Sequence, residues 1–135
     1  MNIIVCLDDR DGMLFCGRRQ SMDSQLRTQV LNLAGDGKLW MNAYSAGQFT
    51  EDAELNVDEA FLNNAPEDAW CFVETDDIVP YLPKLKRVAV YRWNRHYPSD
   101  RKFPRSMVED RWILESTREF SGSSHDLITE EMYRL

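Results

Sequence analysis

Few residues in this chain of 135 could do chemistry, and they are scattered. Arg18 and Arg19 stand side by side, and a guanidinium fork is the side chain best shaped to clamp a carboxylate or phosphate. The same pair could equally answer nearby aspartates from a solvated loop. Asp23 precedes a run of helical spacing, where a carboxylate serves either as a pocket acid or as the cap of the helix. Asn42, Tyr44 and Ser45 follow one short apolar run and Glu74 follows another. If both runs are parallel strands, these residues face the crevice beyond the strands' carboxyl ends, where open α/β sheets hold ligands. Their plainer roles are turn and cap chemistry for the first three and a surface carboxylate for Glu74.

Other catalytic signatures are missing. His96 and His125 have no histidine-rich motif around them, and Cys6, Cys16 and Cys71 show no CxxC spacing, so a zinc centre has no recognisable ligand set. A Ser-His-Asp relay would lack its usual G-x-S-x-G elbow. P-loop and Rossmann glycine fingerprints are absent too. An odd number of cysteines without pairing signals reads as free thiols in a reducing, cytoplasmic compartment.

Composition narrows the partners. With 16 basic against 23 acidic residues the net charge is -7. That balance disfavours nucleic acid and anionic lipid, both of which select positive surfaces. The basic group Arg92, Arg95, Arg101, Lys102 and Arg105 is interrupted by Asp100 and reads as a solvated loop. The longest stretch without a charged residue, Leu39 to Thr50, has 12 residues, too few to span a membrane. The start, Met1-Asn2 running directly into Ile3, lacks the features of a signal peptide. Hydrophobic residues at 43%, 15 aromatics among them, suffice for the core of a single domain over residues 1–135.

The elements that must position these residues follow from periodicity. Asn2 to Leu7 is an apolar strand closed by an Asp-Gly turn, and Met13 to Arg19 reads as an irregular loop. Met22, Leu26, Val30 and Leu33 mark the inward stripe of a helix capped by Ser21 or Asp23 and ended by Gly35. Lys38 to Asn42 is a second strand, and Ala43 to Phe49 enters a short helix with Ser45 as cap. Asn56-Val57-Asp58-Glu59 has capping-box spacing and opens a helix from Val57 to Asn63. Ala69 to Val73 and Lys86 to Trp93 are the third and fourth strands, with a brief helix or turn at Asp76 to Leu82 between them that Pro80 and Pro83 keep short. A polar loop covers Asn94 to Pro104. The strands Trp112 to Phe120 and Leu127 to Leu135 then form a hairpin around Ser121-Gly122-Ser123-Ser124. Trp40, Trp70, Trp93 and Trp112 read as core. The pattern predicts an α/β fold with a mixed, mostly parallel sheet, flanking helices and a C-terminal antiparallel hairpin.

In this order the pieces resemble the dihydrofolate reductase family. Ile3 to Leu7 leading into Gly12-Met13 is similar to that family's first strand and mobile active-site loop. Asn56-Val57-Asp58-Glu59-Ala60 resembles the helix before its central strand. Tyr81-Leu82-Pro83-Lys84 followed by Val88 to Tyr91 resembles its Phe-Leu-Pro-Lys segment and next strand. Phe103-Pro104, Trp112 and a closing hairpin with Glu131 and Arg134 complete the pattern over most of the chain.

The resemblance implies a nicotinamide cofactor, and the sequence departs from it at three places that serve that cofactor. The family's Gly-Gly pair after the central strand is replaced by Phe72-Val73-Glu74-Thr75-Asp76-Asp77, whose carboxylates repel a pyrophosphate. Its phosphate-binding Gly-Arg pair is replaced by Met41-Asn42-Ala43-Tyr44-Ser45. Between Phe49 and Asn56 only six residues remain, where the family has the segment cradling adenosine. No cofactor is therefore expected, NADPH included. The family also carries a pocket acid on its first helix, a position that Asp23 or Gln25 could occupy here. Arg18 or Arg19, Asp23 or Gln25, Asn42, Ser45 and Glu74 are expected to converge around a partly apolar cleft taking a small polar ligand or a protein partner. The alternatives are acid–base catalysis in that crevice, with Asp23 the best catalytic candidate, or a divergent pterin or nucleotide reductase.

Overall fold

The computed structural model describes residues 1–135, and no helix in it is long and apolar enough to cross a membrane. The first strand, β1 (Asn2–Leu7), lies at the centre of a seven-stranded sheet. Its side chains alternate between two layers: Ile3, Val5 and Leu7 enter one core, Ile4 and Cys6 the other. β2 (Gly12–Phe15) and β3 (Arg18–Arg19) follow, then α1 (Ser24–Ala34), β4 (Leu39–Met41), α2 (Ala43–Ala46), β5 (Asn56–Val57) and α3 (Phe61–Asn64). β6 (Trp70–Phe72), a 3-10 turn (Val79–Lys84), β7 (Arg87–Arg92), β8 (Arg101–Lys102), two further 3-10 turns, β9 (Ile113–Phe120) and β10 (Ile128–Arg134) complete the chain.

The large sheet runs in the order β5-β4-β6-β1-β7-β10-β9. Its first five strands are parallel, and β10 turns antiparallel to both β7 and β9. This is the mixed, mostly parallel α/β sheet with a C-terminal hairpin that the alternation of elements predicts. α1 covers one face, burying Leu26, Val30 and Ala34 against Phe72, Tyr91 and Met132. α3 and the turn Val79–Lys84 cover the other with Phe61, Leu62 and Leu82.

Four local expectations are corrected. Residues 13–19 are not an irregular loop but a hairpin of β2 and β3 within a second, three-stranded sheet completed by β8. Its two-residue turn holds Cys16 at φ 53° and Gly17 at φ 72°, the paired positive angles of a type I′ turn. Met22 does not face the core; it precedes the helix and is 49% exposed, because Asp23 is the cap and α1 begins one residue later. Asn56-Val57 forms strand β5, not a helix start. The Asn56 amide donates to the carbonyls of Gly37 and Leu39, and Asp58 makes the turn by accepting from the Ala60 N–H. Ser45 is not the cap of α2: Asn42 is, its Oδ1 accepting from the Ser45 N–H. Of the tryptophans, Trp70 and Trp93 are buried, while Trp40 and Trp112 are half-buried at the core margin. All three cysteines are free.

Candidate functional site

Three of the sequence-selected residues meet at the carboxyl ends of β4 and β6. Glu74 follows β6 directly, and the alternation of that strand turns it toward the α1 face, where it is only 7% exposed. Arg19, at the end of β3, grips it with both arms of its fork. Nε donates to Oε2 at 3.0 Å and to Oε1 at 3.3 Å, and Nη2 donates to Oε1 at 3.2 Å. Ser45, fully buried on α2, donates its hydroxyl to Glu74 Oε1 at 2.8 Å. The Tyr44 ring lies under the guanidinium, 4.2 Å from its carbon, and its hydroxyl accepts from the Arg19 N–H at 3.1 Å. Arg19 Nη1 has only the Met22 sulfur beside it, at 4.0 Å. That arm faces the rim, where Met22 and Tyr44 are exposed.

Asn42 adjoins this network. While capping α2, it donates from Nδ2 to Thr75 Oγ1 at 3.1 Å and Asp76 Oδ2 at 3.0 Å. Burial, reinforced by the charge of Glu59, pushes the Asp76 carboxyl above its ordinary value against the pull of Asn42 and Arg101. The Cys6 thiol of β1 lies close by; burial and then the Glu74 charge push it well up, so it is a neutral thiol.

Asp23 belongs to a different cluster. Its Oδ1 accepts from the N–H groups of Gln25, Leu26 and Ser123, and its Oδ2 accepts from the Ser124 N–H and hydroxyl. His125 Nδ1 adds a contact to Oδ2 at 3.3 Å. Burial alone would raise this carboxyl, but the hydrogen bonds from Ser123, Ser124, Leu26 and His125 outweigh it and hold it far below its usual range. An ionised Asp23 calls for a proton on His125 Nδ1, and Nε2 faces Tyr97 Oη at 2.8 Å and Ser21 Oγ at 3.3 Å. The imidazole is stacked on Trp93 with ring centroids 4.6 Å apart. Hydroxyl, imidazole and carboxylate stand in relay order, yet the His125 and Asp23 side chains are 2% and 0% exposed. The cluster locks the hairpin loop onto the start of α1. Gly122 is required there, since a Cβ would come within 2.6 Å of the His125 carbonyl and collide with the Asp23 carboxylate.

Arg19, Ser45 and Glu74 therefore converge, and Asn42 joins them through α2. Arg18 and the Gln25 side chain are exposed and join neither cluster; Gln25 meets Asp23 only through its backbone N–H. Asp23 is sealed against His125, a partner that sequence reasoning passed over; its one signal was a histidine ending Ser-Gly-Ser-Ser-His, a run rich in donors before a strand. The partly apolar cleft expected around these residues is not an open cavity, because the Arg19 side chain lies across it on Glu74 and Tyr44.

Among solved structures, dihydrofolate reductase from Enterococcus faecalis, complexed with NADP(H) and RAB-propyl, superposes with a TM-score of 0.64. The match covers 98% of this chain and 94% of that one at 11% identity. The fold is that of dihydrofolate reductase. No protein-family model matches the sequence, and no curated protein does. Within the dihydrofolate-reductase fold, the Arg19–Glu74 pair sits just beyond the carboxyl end of β6, against α2 through Tyr44 and Ser45.

Proposed function

We propose that this protein is a dihydrofolate-reductase-fold domain that does not bind NADPH and takes a small polar ligand at the Arg19–Glu74 crevice, without hydride chemistry. The ion pair itself carries the reading. A carboxylate buried to 7% exposure and gripped by a two-armed arginine stands at the edge that a dinucleotide would approach. Asp76 and Asp77 stand two and three positions further along the chain. A pyrophosphate brought there would meet negative charge in a poorly solvated setting. Arg19 Nη1 remains available for a carbonyl or anionic group of a smaller molecule, with Ser45 and Asn42 behind it. A protein partner is the second reading, favoured by Met22 and Tyr44, 49% and 39% exposed on either side of Arg19.

Titrating NADPH fluorescence against the protein tests the first half of the proposal. The expected result is no saturable binding, and saturation at micromolar concentration overturns it. A thermal-shift screen against pterins, nucleotides and polar metabolites tests the second half, since a ligand of the native state raises its melting temperature by mass action. A hit should lose its effect in Glu74→Gln. A hit that survives that change does not use this crevice.

A further inference from the structure

The pocket in this molecule opens at the opposite edge of the sheet, where β1, β6 and β7 begin, and has a volume of about 400 Å³. That lies within the ~300–1,000 Å³ range typical of small-molecule sites. Leu62 of α3, Ala65, Ala69 and Leu85 supply an alkyl wall. Cys71 of β6 also lines it; burial pushes its thiol up to about 11, so it adds no negative charge. The charged lining is predominantly cationic, on a chain whose net charge is -7. Its side chains carry one carboxylate, Glu67, which is already held by Lys86 at 2.7 Å. Lys84 lines the same pocket and makes no ion pair. An alkyl wall in a pocket that an unpaired lysine also lines complements one chemical class.

We propose that this pocket binds a small organic anion with an aliphatic body, its chain against Leu62, Ala65 and Leu85 and its charged head at Lys84. The site is separate from the Arg19–Glu74 crevice and does not depend on the reading given to it. Octanoate is the probe, with 1-octanol as its uncharged counterpart, measured on the full chain by titration calorimetry and thermal shift. One-to-one binding of octanoate is expected, about tenfold tighter than octanol, the ratio corresponding to one good charge contact. Lys84→Glu reverses an exposed, unpaired charge and should weaken octanoate by about tenfold or more, with the urea midpoint unmoved. Ala65→Leu, which fills the wall from its half-buried margin, should weaken octanoate and octanol together. Absence of octanoate binding at millimolar concentration, equal affinity for octanol, or an unchanged affinity in Lys84→Glu would each overturn the assignment. So would loss of octanoate binding in Glu74→Gln, which would place the anion in the crevice at the other edge.

Discussion

Asp23 and Glu74 are both withdrawn from water, at 2% and 7% exposure, and they are held by opposite means. Asp23 receives four backbone N–H groups, from Gln25, Leu26, Ser123 and Ser124. Glu74 receives only side chains, the Arg19 guanidinium and the Ser45 hydroxyl. A carboxylate bound by backbone cannot change partners without unwinding a helix start and a loop. One bound by side chains can, because a rotamer change frees it on a fast timescale. Burial alone therefore does not mark a functional carboxylate. The partners decide whether it is an anchor or a site.

This contrast breaks most visibly under mutation. Asp23→Ala should cost about 3 kcal/mol in urea unfolding, combining the loss of a helix cap with several buried donors left unmet. Glu74→Gln keeps the shape and lets Arg19 swing toward solvent, so about 1 kcal/mol is expected. Equal costs would dissolve the distinction between anchor and site.

Acid should sharpen it. The Asp23 carboxyl is held well below its ordinary value of 3.8 in the folded protein, so below that value the unfolded chain takes up its proton first. Stability from this group is present above pH ~4 and is lost as pH falls further toward the folded value. Asp8, lowered against burial by the N–H groups of Arg10 and Gly12, acts in the same direction. Urea midpoints measured from neutrality down to about pH 2.5 should fall in the wild type and fall less steeply in Asp23→Asn. An unchanged slope in the variant would remove Asp23 from the anchor role. The smallest effects belong to the two selected side chains that join neither cluster: Arg18→Ala and Gln25→Ala, which keeps the backbone N–H to Asp23, should each shift stability by no more than about 0.5 kcal/mol.

Much of the framework was legible locally, and the exceptions share a cause. The central strands announce themselves as short apolar runs, such as Ile3-Ile4-Val5 and Val88-Ala89-Val90, because a strand buried on both faces needs apolar residues throughout. The hairpin at residues 13–19 was hidden because its turn uses Cys16-Gly17, without the asparagine or aspartate that usually signals one. Asn56 to Glu59 was misread because the same residues that can cap a helix also serve a strand edge. Glu59 accepts from the Ala43 N–H, 16 positions back, not from its own helix start. Met22 fitted the helical spacing of Leu26 and Val30, and spacing cannot tell a first turn from the residue before a cap.

Local sequence established the fold class, the central strands, the first helix and the closing hairpin, the acidic balance, and which carboxylates follow strands or precede helices. These follow from periodicity, turn chemistry and charge, all of which act over a few residues. Tertiary structure decided which polar groups meet. Arg19 reaches Glu74 across 55 positions, and Asp23 reaches His125 across 102. Nothing in local spacing encodes such pairs. They arise because burying two layers of side chains against one twisted sheet brings its strand ends and loops together, and each polar group sealed there must then find whichever partner that packing supplies.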